Sequence, residues 1–481
     1  MKLNESKNIL PVTFLFIILI VSRVSVSFGS ISSDSVISAT GLVVYVPLIQ
    51  VTVNPSRTIG LNNFSLGFQL DGPDIRNWRD RSVLRELASD ADFKLVRFFE
   101  HRLGKPCIYW NESTKTGRWD WTGVDLLVQR IFEIGAEPLI VLGFYSWTYD
   151  RVSSAPAGMS DDPNTGLPYP DQWGAYCGEW VKHFREVGFP VRYYEIINEA
   201  SFYFGWPATQ PKLSYYIELY NASAIAMRTT NPNVQVGCDS STFKNVLDYF
   251  TSHGEDLDFL SFHRYGLDSK TKSDAQAMEA AETKYLYDSA NFYGVDTARQ
   301  VYKNAKGVEL PVIMSEGNLC DDYDPIDQRA HTMLGAVYTA LSIRTFTLKN
   351  LLHSIYFIFG GGEDEMGMVD ANANEPWYPY YVQWMIGRGL AVGDELVQTV
   401  SSSEDVRSLA WLHEGKLVIL LICKIDQSRT ISLQGVTGQL DYFKIDNTIP
   451  WETPSVQKGA MNSTDTIIMK GYSVMLLQAA G

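Results

Sequence analysis

The chain has 481 residues, a mass of 54.2 kDa, 45% hydrophobic residues and a formal net charge of −15. This length exceeds the roughly 250 residues of one (β/α)8 barrel and leaves room for an accessory domain. The negative charge argues against a nucleic-acid partner, because phosphate binding requires clustered lysine and arginine. The 12 Trp and 26 Tyr suit a protein that binds sugar rings, although large aromatic side chains also fill ordinary cores.

Residues 1–30 are predicted to form a targeting segment. Two lysines precede the apolar run Ile9–Val21, and small and polar residues follow it. This layout is typical of a signal peptide, and the run is short for a membrane-spanning helix. An uncleaved membrane anchor is the alternative, because Pro11 and Arg23 blur both patterns. Either interpretation predicts an extracellular or cell-surface protein.

Four N-glycosylation sequons agree with export; they begin at Asn63, Asn111, Asn221 and Asn462. The five cysteines show no CxxC spacing, so the sequence predicts no metal site. Their odd number leaves at least one thiol outside any disulfide within the chain. One or two disulfides are compatible with the count, and the pairing stays open, as does the oligomeric state.

Residues 63–392 alternate between eight short apolar runs and helical patterns. The runs are FSLGFQLD (64–71), FKLVRFF (93–99), EPLIVLGF (137–144), VRYYEII (191–197), VQVGCD (234–239), LDFLSFH (257–263), PVIMSE (311–316) and SIYFIF (354–359). A parallel sheet that is buried on both faces requires such continuous apolar strands. The alternation predicts an α/β fold, a (β/α)8 TIM barrel. An open doubly wound sheet is the alternative, but no GxGxxG loop follows the first strand.

The pattern changes near residue 393. Short strands then follow at about ten-residue spacing, separated by turn residues, and predict an accessory antiparallel β-sandwich over residues 393–481. Leu42–Val53 also has the pattern of a strand. We therefore expect residues 31–62 to join the sandwich.

Two glutamates close apolar strands of the predicted barrel. Glu199 follows Asn198 at the end of the fourth strand, and Glu316 ends the seventh. Catalytic residues of such barrels lie at the C-terminal ends of strands. A lone glutamate there is more often a helix cap or a salt-bridge partner. Two on one barrel mouth fit retaining glycoside hydrolysis, which needs one protonated and one ionised carboxyl about 5 Å apart.

Other polar and aromatic residues fall near the same predicted mouth. His263 and Tyr265 follow the sixth strand and can add hydrogen bonds near the two glutamates. Trp147 lies in the loop after the third strand, where it could support a sugar ring, and His101 follows the second. Glu363 lies in the loop after the eighth strand and is equally compatible with binding a sugar hydroxyl or with solvation.

The strand-end motifs resemble those of clan A glycoside hydrolases, whose acid/base follows an asparagine on the fourth strand. Arg192–Trp206 is similar to the acid/base segment of glycoside hydrolase family 39, the β-xylosidase and α-iduronidase group. Leu257–His263 resembles that family's sixth strand. The chain departs from the family pattern at Ala200, where proline is usual, and at Gly317, where tryptophan is usual.

The resemblance implies roles for six of the residues at the mouth. Glu199 would be the acid/base and Glu316 the nucleophile. Asn198 would contact the 2-hydroxyl of the sugar, and Arg97 would hold the nucleophile ionised. The histidine and tyrosine after the sixth strand would contact the nucleophile or the sugar.

The predicted function is a retaining hydrolase that cleaves β-linked sugars from an oligosaccharide or polysaccharide by double displacement, without a cofactor. A catalytically silent carbohydrate-binding protein is one alternative, and the retention of Glu199 and Glu316 argues against it. A transglycosylase that uses the same residues is another. The sugar, and exo versus endo action, stay open; a uronic acid would need a cationic partner such as Arg102 or Arg264.

Overall fold

The computed structural model describes most of the chain. The described residues are 36–38, 43–45, 48–72, 74–144, 152, 154–200, 210–238, 242–322, 325–362, 364–450 and 455–480. The targeting segment predicted over residues 1–30 lies outside these ranges. Among the described residues, no helix combines the length and the apolar character needed to cross a membrane.

The chain divides into two compact units. In the first, Met1–Val46, the antiparallel strands β1 (Val36–Ser38) and β2 (Val43–Tyr45) pair with each other. The second, Pro47–Gly481, holds all the elements that follow. The segment predicted as a single strand, Leu42–Val53, therefore contributes β2 to the first unit and the beginning of β3 to the second.

Eight parallel strands form the central sheet of the second unit. They are β4 (Ser65–Leu70), β5 (Leu95–Phe99), β8 (Glu137–Leu142), β9 (Tyr193–Ile196), β10 (Gln235–Gly237), β11 (Leu260–Leu267), β12 (Val312–Cys320) and β13 (His353–Tyr356). Their order is β10-β9-β8-β5-β4-β13-β12-β11, so the last strand along the chain returns to pair with the first. Hydrogen bonds from Asp258 N to Val236 O and from Ser261 Oγ to Cys238 O, both 3.0 Å, link the two remaining ends. The predicted barrel is confirmed.

The strands are apolar on both faces because each face meets a different core. On β5, Leu95 and Phe99 belong to the cluster inside the barrel, whereas Val96 and Phe98 pack outward with the helices. Side chains alternate along a strand, so Arg97 lies on the same face as Leu95 and points into the barrel. This placement puts a cation inside an otherwise apolar interior.

Helices cover the outside of the barrel. They are α1 (Asp74–Asp80), α2 (Ser82–Asp90), α3 (Thr122–Glu133), α4 (Pro170–Val187), α5 (Gln210–Thr230), α6 (Lys244–His253), α7 (Asp274–Thr283), α8 (Val295–Lys306), α9 (Met333–Leu348) and α10 (Tyr378–Gly387), with a 3₁₀ turn at Gln328–His331. α4 shows why such segments stop where they do. It begins with Pro170, whose missing N–H costs nothing there, and ends at Gly188, which has a φ of +82°.

Two loops at the barrel mouth contain short strands of their own. The loop after β5 forms a hairpin of β6 (Cys107–Asn111) and β7 (Thr116–Trp119). The loop after β13 contains the small sheet β14 (Gly360–Gly361), β15 (Val369–Asp370) and β16 (Glu375–Pro376). Both loops follow the C-terminal ends of barrel strands, the end at which such barrels carry their active sites.

A second sheet follows the barrel. Its strands are β3 (Leu48–Leu61), β17 (Glu395–Ser401), β18 (Val406–His413), β19 (Lys416–Cys423), β20 (Arg429–Gln434), β21 (Gln439–Ile445), β22 (Gln457–Asn462), β23 (Ile467–Met469) and β24 (Ser473–Ala479). Their order is β22-β21-β24-β19-β18-β17-β3-β20-β23, and every pair except β3–β20 is antiparallel. The accessory domain is thus one continuous, mostly antiparallel sheet.

The middle of this sheet is buried on both faces. On β19, Ile419 and Leu421 enter the core of the sheet itself, whereas Leu420 and Ile422 join the core of the barrel and its helices. α9 and α10 supply the barrel surface against which this outer face packs. The accessory sheet therefore shares a hydrophobic core with the barrel.

Candidate active site

The turn that carries Asn198 and Glu199 follows β9 and has an unusual backbone. Ile197 has a φ of +63° and Glu199 a φ of +49°, in the left-handed region that β-branched residues rarely adopt. The Ile197 and Asn198 N–H groups donate to the carbonyls of Leu142 and Gly143, both at 2.8 Å. A Cβ on Gly143 would lie 2.7 Å from Ile197 Cγ1, so only glycine fits there. Strain of this kind clusters at functional sites.

A one-residue bulge on β12 sets the direction of the second glutamate. Met314 pairs with Phe262 of β11, but the next pair joins Glu316 to His263. Ser315 is therefore the extra residue on β12. Because a bulge re-aims the side chains that follow it, it brings Glu316 opposite His263.

β11 leaves no room for a side chain after this glutamate. A Cβ on Gly317 would lie 2.3 Å from the carbonyl oxygen of Arg264, which explains the glycine where the resembling family has tryptophan. The Arg264 guanidinium is buried and donates to Ser342 Oγ and to Ala280 O. It therefore lies among α7 and α9, and the interpretation of Arg264 as a partner for an acidic sugar at the mouth is wrong.

Arg97 is the buried centre of the site, with no exposed surface. Nε donates to Glu195 Oε2 at 2.9 Å, Nη1 to Glu316 Oε2 at 2.9 Å and to Gln69 Oε1, and Nη2 to Asn198 Oδ1 at 2.7 Å. A buried charge is destabilising unless it is paired and hydrogen-bonded, and two carboxylates meet this requirement. One guanidinium thus connects the strand-four turn to the strand-seven glutamate.

His263 lies between the two predicted catalytic glutamates. Its Nδ1 is 3.0 Å from Glu199 Oε1 and 3.7 Å from Glu316 Oε2, and its Nε2 is 3.3 Å from Arg97 Nη2. Since arginine can only donate, Nε2 accepts and the imidazole proton resides on Nδ1, directed at Glu199. The Tyr265 hydroxyl donates to the other oxygen of Glu316, Oε1, at 2.6 Å.

The surroundings of Glu316 act on its protonation in opposite directions. Burial raises the pKa of this carboxyl, and the negative charge of Glu199 adds to the effect. The electrostatic interactions with His263 and Arg97 and the hydrogen bond from Tyr265 lower the same pKa. Burial is the largest of these effects, so the pKa of Glu316 lies above its ordinary value, and the contacts with His263, Arg97 and Tyr265 limit the rise.

The same three side chains could in principle hold a divalent cation. The ligand atoms of Glu199, His263 and Glu316 all lie within 4.8 Å of one another. These groups already bond to one another or to neighbours, however: His263 Nδ1 is hydrogen-bonded to Glu199, and Arg97 donates to one oxygen of Glu316. The hydrogen-bonded arrangement of these side chains suits general acid/base chemistry.

The structure brings together six of the nine predicted site residues, Arg97, Asn198, Glu199, His263, Tyr265 and Glu316. His101 is not part of this group and instead contacts Phe144 and Glu100. Its ring centroid lies 5.1 Å from that of Phe144, and its Nδ1 is 3.6 Å from Glu100 Oε2. Trp147 and Glu363 lie outside the described residues, so their predicted sugar contacts stay predictions.

The sequence analysis missed several residues of the site. Glu195 and Gln69 are fully buried partners of Arg97. An apolar group also surrounds Tyr265 and consists of Ile326, Phe357, Ile358 and Met366. A charged residue inside an apolar strand was the available signal for Glu195, because such a charge requires a buried partner.

Comparison with known proteins shows that the sequence matches one family model. Residues 55–347 match the sequence model of "Glycosyl hydrolases family 39". A β-xylosidase from Caldicellulosiruptor saccharolyticus is 22% identical over 256 residues, which are 48% of this chain and 49% of that protein. The chain therefore spans about half the length of the curated relative that it matches.

Solved structures show the same fold. A monomeric β-xylosidase from Caulobacter crescentus CB15 superposes with a TM-score of 0.64 at 15% identity, over 89% of this chain and 99% of that one. An α-L-arabinofuranosidase from Thermotoga maritima has a TM-score of 0.64 at 12% identity, over 90% of this chain and 99% of that one. At these identities the likeness concerns the fold alone.

Proposed function

Because the chain belongs to glycoside hydrolase family 39, we propose that it cleaves β-linked sugars with retention, through a glycosyl-enzyme intermediate. The close approach of the two glutamates is the main support: their nearest oxygens lie within 4.8 Å of each other. Retaining enzymes hold their carboxyl groups about 5–5.5 Å apart, whereas inverting enzymes need about 6.5–9.5 Å to admit a water molecule.

In the first step Glu316 attacks the anomeric carbon and forms an ester bond to it. Glu199 gives its proton to the glycosidic oxygen as that C–O bond breaks. In the second step Glu199 takes a proton from water, the water oxygen bonds to the anomeric carbon, and Glu316 leaves as a carboxylate. Arg97 and Tyr265 each hold one oxygen of Glu316, so the nucleophile is oriented before substrate binds.

Asn198 suits the role of a substrate ligand. Its Oδ1 accepts from Arg97, so the amide oxygen is already engaged and the NH₂ group remains to donate. A donor next to Glu199 fits a hydroxyl of the sugar at the cleavage point. The contact is expected to strengthen in the transition state.

For the substrate we propose a β-xyloside. The matched relative from Caldicellulosiruptor saccharolyticus and the superposed Caulobacter crescentus protein are both named β-xylosidases.

The experiment measures nitrophenol release from a panel of aryl glycosides. Wild type should release it from the β-xyloside, and Glu316→Gln should abolish release, because it keeps the volume of the side chain and removes the nucleophilic charge. Glu199→Gln should spare substrates with good leaving groups and lose activity on natural oligosaccharides. Glu186→Gln, at an exposed position of α4 on the outside of the barrel, is the matched control and should behave as wild type.

Stereochemistry provides the decisive arm of this experiment. Proton NMR during hydrolysis should show the β-anomer of the free sugar first. Appearance of the α-anomer first would overturn the retaining mechanism. Equal loss on activated and natural substrates in Glu199→Gln would contradict its role as the acid, and an unreactive panel would overturn the proposed substrate.

We also propose that the protein is exported. Support comes from the N-terminal apolar run and from the exposed sequon asparagines Asn111 and Asn462. Expression of the full chain in a secreting eukaryotic host should give protein in the medium whose mass falls on N-glycosidase treatment. Retention inside the cell without glycan would contradict the proposal.

A further inference from the structure

A second cleft lies where the barrel meets the accessory sheet. Its volume is about 800 Å³, within the range of ligand-binding pockets. α7, α8 and α9 form one side, and β18 and the residues after β19 form the other. The residues that line it are separate from the group around Arg97.

Three cations of this cleft converge on one carboxylate. Arg407 Nε lies 2.5 Å from Glu282 Oε1, Lys424 Nζ lies 2.6 Å from Oε2, and Arg344 Nη1 lies 3.9 Å from Oε1. Glu404 also pairs with Arg407, but its side chain is 82% exposed, so water screens that contact. One shielded carboxylate leaves this group of cations only partly neutralised.

Counted over the whole lining of the cleft, the charge balance is positive. Five basic and three acidic side chains line the cleft, an excess of two positive charges in a chain whose net charge is −15. At the other end Lys349 and Arg299 flank the single carboxylate of Asp296. A local positive potential on an acidic protein favours an anionic ligand.

Arg344 is positioned to receive that anion. Its Nε donates to Ser408 O at 2.9 Å, which anchors the guanidinium. Among the residues that the structure describes, its Nη groups make no hydrogen bond, and Glu282 lies beyond hydrogen-bond distance. A planar fork of N–H groups held in this way matches the two oxygens of a carboxylate.

Aromatic and apolar surface stands beside these cations. Tyr287 lines the cleft and is 56% exposed, with Lys349 Nζ 4.6 Å from its ring centroid. Met278, Leu348 and Ile425 also line it. An aromatic ring can cover the apolar face of a sugar while cations bind an acidic substituent. We propose that this cleft binds a uronic acid unit of an oligosaccharide, at a site distinct from the catalytic one.

Calorimetric titration of the full chain tests this proposal, with the Glu316→Gln variant used so that the ligand stays intact. The probes are a xylo-oligosaccharide that carries one glucuronic acid, the same oligosaccharide without it, and inorganic sulfate. The acidic saccharide should bind at least tenfold more tightly than the neutral one at low ionic strength. Raising the salt should remove this difference, because the contact is ionic.

Two variants locate the binding. Arg344→Gln should abolish the preference for the acidic saccharide, whereas Arg192→Gln, an exposed arginine paired with Glu137, should retain it. Tyr287→Ala changes an exposed side chain and should weaken binding severalfold even if Arg344→Gln fails to fold. Binding that is unaffected by Tyr287→Ala, or equal for both saccharides, would overturn the proposal. Sulfate that binds as tightly as the acidic saccharide would also overturn it and indicate a simple anion site.

The result is independent of the hydrolysis that we propose. Binding is measured in a variant designed to lack turnover and is read at residues outside the catalytic group. A failed titration would leave the aryl-glycoside experiment unaffected, and an inactive wild type would leave the titration interpretable.

Discussion

Replacement of Tyr265 with phenylalanine isolates one contact of the proposed nucleophile. The ring keeps its position, and only the hydroxyl that donates to Glu316 Oε1 at 2.6 Å is removed. Glu316 keeps its bond from Arg97 at 2.9 Å, so the carboxylate stays oriented. The substitution therefore changes the stability of the ionised form more than the geometry.

The structure sets the size and the sign of the effect. A hydrogen bond to a buried charged group contributes about 1.5–3 kcal/mol, and one pH unit corresponds to about 1.4 kcal/mol. The hydroxyl of Tyr265 lowers the pKa of Glu316, so its loss raises that pKa. Activity that requires ionised Glu316 falls as the pH decreases through this pKa. We therefore expect the acidic limb of the kcat/KM profile to move to higher pH by about one to two units.

The assay records kcat/KM from pH 3 to pH 9, an interval of about six units around the ordinary glutamate range, on an activated aryl glycoside. The matched control is Tyr194→Phe on β9, since the hydroxyl of Tyr194 is buried and has no hydrogen-bond partner in the described part of the chain. The control should leave the limb in place. An unmoved limb in folded Tyr265→Phe would refute the assigned role of this hydroxyl.

Two further substitutions test the surrounding charges. Glu195→Gln removes a negative charge that is paired with Arg97, so the positive potential at Glu316 increases. The acidic limb of the kcat/KM profile should therefore move to lower pH, opposite to the shift in Tyr265→Phe. If Glu195 had only a structural role, the substitution would lower the melting temperature, at a cost of about 3–5 kcal/mol, and leave the limb in place. Burial, then the carboxylates of Glu365 and Asp71, raise the pKa of Asp74 to about 8. Over the interval from about pH 4 to pH 8 the unfolded chain loses the proton of Asp74 and the folded protein keeps it, so the folded protein loses stability as the pH rises. The melting temperature of Asp74→Asn should therefore exceed that of wild type by an amount that grows across this interval. A difference that does not change with pH would contradict the raised pKa of Asp74.

The barrel was predictable because a strand that is buried on both faces has a continuous apolar sequence. Val96 and Leu95 point to different cores, yet both must be apolar, so the strand reads as a continuous run. The same logic applies to β19 of the accessory sheet, whose two faces enter two cores. The sequence pattern does not reveal which core each face meets, because this depends on the packing of elements that are distant along the chain.

The site was predictable at the level of strand ends. Glu199 and Glu316 stand where the strands of a barrel present catalytic groups, and their positions along the chain suffice for that expectation. The bulge at Ser315 and the positive φ of Ile197 depend on register and on contacts with neighbouring strands, so no local pattern reports them. The pairing of Arg97 with Glu195 was missed but was predictable, because a charged side chain inside an apolar strand requires a buried partner of opposite charge.

The position of β3 has a consequence for how the protein is made. Leu61 lies opposite Glu395, so β3 is synthesised long before its partner β17. At about 5–20 residues per second the ribosome needs roughly 20–70 s to reach β17. During this delay β3 lacks its partner β17, and an unpaired strand edge is open to wrong pairings. A chain cut between the barrel and β17 would leave this edge of β3 without its partner permanently.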